Sequence, residues 1–260
     1  MQQRHKDHNR YFNEQAECMR RYVIPYIEQQ CPVTPDKRVL EIGCGEAGNL
    51  LPFLDRGCEC WGIDISSPRI EVAKEHFSTH TYSARMHLIC NDIYKIAPEE
   101  IGEFDIIVLR DVIEHIPHQE VFMHNMKRFM NEKTVVFFGF PVWRNPFGGH
   151  QQVCRNRVLS HLPWIHLLPR TLYKALLTMG HEPEGVIREL LDIKTTGISI
   201  HRFERILHDE QFRVLRCTHY LINPNYDIKF HLKPRAIPRL LQIPYLSDFY
   251  TTAMYYLISL

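Results

Sequence analysis

The sequence lacks the features that would assign this protein to a membrane or to nucleic acid. No run of about 18 or more apolar residues occurs, which argues against a transmembrane helix. The first eight residues are polar and lack the apolar core of a signal peptide. The formal net charge is only +1 and there is no basic stripe, so no overall field favours nucleic acid. These absences predict a cytoplasmic protein that acts on a small molecule.

The sequence also lacks a cysteine and histidine cluster with the spacing of metal ligands. Its eight cysteines are scattered, which is typical of small buried thiols in a reducing compartment. His161 and His166 are separated by Pro163 among others, so they do not share one helix face. The spacing along the chain therefore predicts no metal site.

The most informative segment is a short apolar run that contains Glu41 and leads into Gly43, Gly45 and Gly48. A second apolar run ends at Asp64. This order predicts a strand, a tight turn, a helix and a second strand, which is half of a nucleotide-binding α/β sheet. Glycines also mark ordinary turns, so Glu41 is the sharper signal. A carboxylate in a buried parallel strand is costly unless something there uses it.

Two ligand classes compete for this turn. A dinucleotide would place its pyrophosphate at the helix N-terminus and a ribose against the acidic residue after the second strand. Glu41 would then bring negative charge close to the pyrophosphate, which is unfavourable. A ligand with an amine or a sulfonium suits the carboxylate better. The residues favour such a ligand, and a nicotinamide-dependent oxidoreductase remains the alternative.

The segment E-I-G-C-G-E-A-G, which starts at Glu41, resembles the first motif of the class I S-adenosylmethionine-dependent methyltransferases. That motif is E-x-G-x-G-x-G or a close variant, and Ala47 stands where the family has its third glycine. Further matches follow in the family's order, at Asp64, at Asn91-Asp92 and over residues 110–116. Each lies at the end of an apolar run, and ligands of open α/β sheets bind outside the carboxyl ends of the strands.

The resemblance implies a Rossmann-like α/β fold, with a seven-stranded, mostly parallel sheet and helices on both faces. The expected strand order is 3-2-1-4-5-7-6, with strand 7 antiparallel. We expect residues 1–260 to form a single methyltransferase domain with an N-terminal helical segment over residues 1–35. The alternation of strands and helices stops after Pro141, so we expect an irregular cap over residues 141–197 that folds across the active site.

The resemblance also implies S-adenosylmethionine as the cofactor and assigns contacts to it. Glu41 would lie near the methionine amine, Gly43 and Gly45 would let the ligand approach the backbone, and Asp64 would bind the ribose hydroxyls. The full predicted set is Glu41, Gly43, Cys44, Gly45, Asp64, Ile65, Asn91, Asp92, Ile93, Arg110 and Asp111.

Two parts of that set have a structural alternative. Asp92 would accept a hydrogen bond from the adenine amine, with Ile93 beside the ring. The alternative is that Asn91-Asp92 caps a helix. Arg110 and Asp111 would line the methionine end of the ligand, and their alternative is a structural salt bridge.

Two histidines are the candidate catalytic residues. His115 follows the fourth predicted strand, where many members of the family have a histidine. Gly148-Gly149 lets the chain turn after the fifth strand and brings His150 back towards the sheet. Either could act as the general base for an oxygen acceptor. The alternative for each is a loop histidine that fixes a turn.

The predicted reaction is methyl transfer to a small-molecule acceptor, which we expect to be lipid-like or sugar-like. The chain lacks the Asn/Asp-Pro-Pro-aromatic run of base amino-group methylases, which favours oxygen over nitrogen. A noncatalytic S-adenosylmethionine-binding protein is the alternative. Residues 161–170 are apolar and aromatic, and we expect them to form a lid. Contact of this segment with a membrane surface is a secondary hypothesis.

Overall fold

The computed structural model describes residues 8–260. Residues 1–7, whose polarity argued against a signal peptide, lie outside the described residues. Within residues 8–260, no helix is both long enough and apolar enough to cross a membrane.

One sheet in the order β3-β2-β1-β4-β5-β8-β6-β7 forms the centre of the molecule. The strands are β1 (Arg38–Ile42), β2 (Glu59–Asp64), β3 (Met86–Cys90), β4 (Phe104–Arg110), β5 (Met130–Phe140), β6 (Arg213–Ile222), β7 (Arg235–Ala236) and β8 (Ala253–Ser259). Strands β1 to β5 pair in parallel, and β8 pairs antiparallel with both β5 and β6.

The predicted fold class is confirmed, with one more strand than expected. The first seven positions reproduce the expected order, because β8 is the antiparallel strand that was expected as the seventh. The additional strand is β7, which consists of Arg235 and Ala236 and pairs with the outer edge of β6. A strand of two residues is too short for a periodic pattern, and prolines lie close on both sides, so no sequence signal indicated this strand.

Helices cover both faces of the sheet in the described part of the chain. They are α1 (His8–Cys18), α2 (Ile24–Ile27), α3 (Leu51–Asp55), α4 (Ser67–Phe77), α5 (Pro98–Ile101), α6 (Gln119–Met126), α7 (Arg170–Met179), α8 (Glu184–Thr196), α9 (Ile200–Asp209) and α10 (Asn225–Phe230). A π-helical turn, Met19–Val23, joins α1 to α2.

Alternate residues of the strands supply two hydrophobic clusters, one on each face of the sheet. On β1, Leu40 and Ile42 pack with α6 and α9, whereas Val39 packs with α1 to α4. Glu41 has the same parity as Val39. Its carboxylate therefore lies on the face that the N-terminal helices cover, at a position that an apolar side chain would otherwise fill.

Residues 141–197, here called the cap segment, are more regular than the sequence suggested. The segment contains α7 and α8, and these two helices and the preceding turns share a small core of their own. Its buried members are Cys154, Leu159, Ile165, Tyr173, Leu177, Ile187, Leu190 and Leu191. The apolar residues on both helices have helical spacing, but the high proline and histidine content of the segment obscured that pattern.

Two glycines of the cap segment provide a matched test of its packing. A Cβ atom on Gly148 would lie 2.3 Å from the carbonyl oxygen of Trp143, whereas one on Gly185 would meet no atom within 4 Å. We expect Gly148→Ala to lower the free energy of unfolding by about 1–3 kcal/mol, because the backbone must move to admit the methyl group. Gly185→Ala should change it by less than about 0.5 kcal/mol. Urea denaturation of both variants measures the difference, and similar values for the two would contradict this packing.

Candidate functional site

The turn after β1 is built from residues with a left-handed backbone. Gly43 (φ 73°), Gly45 (φ 56°) and Ala47 (φ 60°) follow one another at alternate positions. The amides of Gly43 and Cys44 both donate to the carbonyl oxygen of Ile63, at 2.7 and 3.1 Å. The turn is therefore tied to the end of β2, and the Cys44 side chain is buried rather than directed to a ligand surface.

Helix α1 packs directly on this turn. A Cβ atom on Gly48 would lie 2.6 Å from the carbonyl oxygen of Phe12, so this glycine permits the approach of the helix. The His8 ring bonds to the Glu46 carboxylate at the start of the same contact. Burial and, to a smaller extent, the nearby charge of Asp111 raise the pKa of Tyr11 to about 12. Sequence reasoning did not identify Tyr11 as a site residue.

Asp64 joins the turn after β1 to the loop after β2. Its two carboxylate oxygens accept hydrogen bonds from the amides of Gly45 and Ser66, each at 2.8 Å. Each oxygen keeps a second lone pair for a further donor. Ile65, the next residue, is 79% exposed and provides an apolar surface beside this carboxylate. The predicted ribose and adenine contacts thus start from one rigid corner of the sheet.

Glu41 is the end of a buried polar chain. Its Oε1 atom accepts a 2.6 Å hydrogen bond from the Asn49 amide, and Asn49 Oδ1 accepts a 2.8 Å bond from Arg110. The Oε2 atom has no hydrogen-bond partner, and burial raises the pKa of Glu41 to about 8. An orphaned carboxylate oxygen beside a glycine turn fits a ligand that carries a cationic amine.

The same hydrogen-bond network positions Arg110. The guanidinium is buried, reaches Asn49, and lies 4.0 Å from the carboxylate of Asp111. Arg110 thus has a protein partner in Asn49, whereas the Asp111 side chain is 53% exposed and open to a ligand. The role of both residues in cofactor binding stays a prediction. Asn49 connects Glu41 to Arg110, and its position directly after the glycines was the signal that could have identified it.

The loop after β3 carries the predicted adenine contact. Asp92 accepts a 3.1 Å hydrogen bond from the amide of Tyr94 and so caps the short turn Ile93–Lys95. The cap interpretation therefore describes one oxygen of this carboxylate. The amide of Asn91 donates to the carbonyl oxygen of Asp64 at 3.1 Å, which places this loop next to the Asp64 corner. The role of Asn91, Asp92 and Ile93 in ligand binding stays a prediction.

The side chains of His115 and His150 lie next to each other beyond the carboxyl ends of β4 and β5. Their ring centroids are 5.0 Å apart, and the rings are nearly perpendicular. His115 lies on the turn that follows β4, and His150 on the loop that follows β5. Burial lowers the pKa of both imidazoles, that of His150 to about 3, so both rings are neutral at neutral pH.

Glu114 lies with these two histidines, although the sequence did not single it out. Its side chain is 4% exposed, and Oε1 lies 4.0 Å from Nε2 of His115. Neither carboxylate oxygen has a hydrogen-bond partner. Glu114, His115 and His150 each offer one donor atom, and these three atoms all lie within 4.8 Å of one another.

A cavity of about 330 Å³ opens between the His115 turn and α8. It is lined by His115, Gly185, Arg188, Glu189, Asp192, Ile193 and Thr196, and by none of the glycine-turn residues. The Thr196 hydroxyl donates to the carbonyl oxygen of Glu114 at 2.6 Å, which fixes α8 to the turn. A small ligand in this cavity would contact His115 from the side of the cap segment.

The predicted lid, residues 161–170, packs on the loop that follows β5. His166 is buried, and its Nε2 atom lies 2.8 Å from the carbonyl oxygen of Trp143. Trp164 is 42% exposed, and its indole donates to the carbonyl oxygen of Arg144 at 3.2 Å. Closure over a ligand stays a prediction.

The sequence is similar to known proteins over most of its length. Residues 10–178 match a family described as a methyltransferase domain. A ubiquinone biosynthesis O-methyltransferase of Coxiella burnetii is 32% identical over 183 residues, which cover 68% of this chain and 73% of that protein.

Solved structures share the fold at much lower identity. The plantazolicin methyltransferase BamL, in complex with a triazolic desmethylPZN analogue and S-adenosylhomocysteine (SAH), has a TM-score of 0.58 and 11% identity over 99% of this chain and 88% of that one. A magnesium protoporphyrin IX methyltransferase of Synechocystis with bound SAH has a TM-score of 0.55 and 14% identity over 96% of this chain and 84% of that one.

Proposed function

Because the chain belongs to the family of class I S-adenosylmethionine-dependent methyltransferases, we propose that it methylates a hydroxyl oxygen of a small organic acceptor. The methyl donor of the family is S-adenosylmethionine, and the chain is an enzyme of that type. Its family membership overturns the nicotinamide alternative.

The observation that carries the proposal is the pair of imidazoles at the acceptor side of the site. The rings of His115 and His150 lie 5.0 Å apart, the charge of Asp111 acts on His115, and His115 also lines the cavity next to α8. A hydroxyl acceptor must lose a proton when its oxygen takes the methyl group, and nitrogen atoms in this position can receive it. The name of the 32% identical relative, an O-methyltransferase, also supports oxygen.

The cofactor side is proposed from residues that fit the ligand. The unpartnered Oε2 atom of Glu41 would bind the methionine amine, and the carboxylate of Asp64 would accept from the ribose hydroxyls. The loop of Asp92 and Ile93 would hold the adenine, and the exposed carboxylate of Asp111 would face the methionine end. S-adenosylmethionine, when bound, supplies an activated methyl group whose carbon–sulfur bond breaks with its electron pair going to sulfur.

The chain itself mainly orients the two reactants. The acceptor would enter the cavity between the His115 turn and α8, so that its hydroxyl oxygen points past His115 towards Asp111. The acceptor oxygen forms the new bond to carbon, and its proton leaves to the histidine side. Alignment of two bound reactants is worth about 7–11 kcal/mol of the barrier in favourable cases.

Two comparisons test the proposal: hydroxyl acceptors against matched amines, and a variant of His150 against a variant of an exposed histidine. We expect SAH release with hydroxyl acceptors and none with matched amines on the same scaffold. His150→Gln should lower kcat by about 100- to 10,000-fold while the affinity for SAH, measured by calorimetry, stays unchanged. The control is His208→Gln, because His208 is 90% exposed in the last turn of α9 and its ring bonds to the neighbouring Asp209. Turnover of the amines alone, or full activity of His150→Gln, would contradict the proposal.

A further inference from the structure

We propose that Glu114, His115 and His150 bind a divalent transition-metal cation at the acceptor side of the site. Among residues 8–260, these three side chains form the cluster of histidine, cysteine, aspartate or glutamate residues whose donor atoms all lie within 4.8 Å of one another. Ligands of a tetrahedral site with metal distances of about 2.1 Å lie roughly 3.4 Å apart. Side-chain rotations that move the donor atoms by about 1 Å would therefore bring all three within bonding distance of one ion.

The carboxylate of Glu114 is the strongest evidence for a cation. Its side chain is 4% exposed, and both oxygens lack a hydrogen-bond partner. Such a group is costly while it is ionised, and a paired cation or a coordinated metal compensates its charge. No lysine or arginine forms an ion pair with Glu114 among the described residues, and the neighbour within reach is the imidazole of His115. The negative charge of Asp111 also acts on this cluster and would favour a cation.

The backbone around the three side chains is fixed before any ion binds. His150 has a left-handed backbone (φ 57°), and a Cβ atom on the preceding Gly149 would lie 2.2 Å from Cβ of His166. The Thr196 hydroxyl donates to the carbonyl oxygen of Glu114 at 2.6 Å. Ligands on a rigid frame lose little conformational freedom when they bind a metal, which favours affinity.

The donor set indicates which cations fit. Two imidazoles and one carboxylate are typical ligands of Zn²⁺, Mn²⁺, Co²⁺ and Fe²⁺, and they leave further positions open. Ca²⁺ and Mg²⁺ prefer oxygen ligands and are disfavoured by the two nitrogens. The side chain of His115 is 43% exposed, so an open position of the ion would face the cavity next to α8.

The role of the ion rests on the proposed function. An acceptor hydroxyl bound to the ion would lose its proton to water more easily, because the cation stabilises the oxygen anion. That oxygen keeps a lone pair with which it takes the methyl group. The imidazoles hold the ion in that state, and they accept the proton directly when no ion is bound.

The experiment is a titration of the chelator-treated full chain with Mn²⁺, in which electron paramagnetic resonance measures the free ion. We expect one Mn²⁺ per chain, displaced by Zn²⁺, and at least about tenfold weaker binding in Glu114→Gln and His150→Gln. Glu114→Gln keeps the shape of a side chain that makes no hydrogen bond, so it should fold. His208→Gln is the matched control and should bind Mn²⁺ like the wild type, because His208 is 90% exposed in the last turn of α9.

Calorimetry with SAH on the same samples separates the two proposals. Metal binding without SAH binding would support the metal site and contradict the proposed function. SAH binding by a wild type that takes up no Mn²⁺ or Zn²⁺ at millimolar concentration would overturn the metal site alone. Equal Mn²⁺ affinity in the wild type and both variants would overturn it as well. A Co²⁺ spectrum provides a readout without variants, because a thiolate charge-transfer band would place the ion on a cysteine instead.

Discussion

Asp64→Ala is expected to weaken binding of S-adenosylmethionine and SAH by about 100- to 1,000-fold. The proposed ribose contacts are hydrogen bonds to a charged acceptor, worth about 1.5–3 kcal/mol each. Loss of two such bonds amounts to about 3–6 kcal/mol, and the lower part of that range, about 3–4 kcal/mol, corresponds to the expected change in affinity. The substitution also removes the two hydrogen bonds that hold the amides of Gly45 and Ser66. Isothermal titration calorimetry measures the loss directly.

The matched control for this change is Asp105→Ala. Asp105 also accepts two hydrogen bonds, from the amide of Arg38 at 2.9 Å and from the Lys37 ammonium at 3.2 Å. It lies near the start of β4, at the opposite edge of the sheet from the carboxyl ends. The control should lose some stability and keep the affinity for SAH. Equal losses of affinity in the two variants would mean that Asp64 acts only through general folding.

Glu41→Gln is expected to change stability and cofactor binding in opposite directions. In the folded chain, burial raises the pKa of Glu41 to about 8 from a usual value of 4.5. The folded state therefore binds a proton that the unfolded state releases, so stability falls as the pH rises from about 4.5 to about 8. Above that range the ionised carboxylate destabilises the fold most. A glutamine keeps the bond from Asn49 and carries no charge, so the variant should lose this pH dependence.

The measurements are unfolding midpoints between pH 5 and pH 9 and the affinity for SAH at each pH. We expect Glu41→Gln to match the wild type near pH 5 and to exceed it by a few kcal/mol near pH 9. Its affinity for SAH should be lower by about 10- to 100-fold, because an ionised carboxylate binds the amine more strongly than an amide does. A variant that gains stability and keeps full affinity would show that Glu41 does not contact the amine.

These two carboxylates illustrate how far local sequence carries an interpretation. Glu41 and Asp64 were found because each interrupts or ends an apolar run, and the period of a strand then fixes their place at the sheet edge. The partners of these carboxylates were not found. Arg110 reaches Asn49 across the interior, and no spacing along the chain records a contact between β4 and the turn after β1.

The cap segment shows a different limit. Its two helices carry ordinary apolar spacing, but the prolines and histidines of the segment, most of which precede α7, suggested an irregular structure. Each of the eight buried residues of its core is recognisable as apolar in the sequence. Their assembly into one cluster depends on how α7 and α8 pack. The local sequence pattern therefore indicated the bounds of the segment but did not predict its regular helices.

The order of the main strands was implied by the family resemblance, whereas the sequence by itself determined the alternation of strands and helices and the glycine turn with its acidic neighbours. Those features follow from short-range patterns, namely strand periodicity, turn chemistry and the position of each carboxylate. Only the tertiary structure brought Glu114 and His115 together with His150. β4 and β5 pair in parallel, with Arg110 opposite Gly139, so the loops after these strands leave the sheet side by side. Residues far apart in the chain meet there, and that pairing is a property of the whole sheet rather than of any segment.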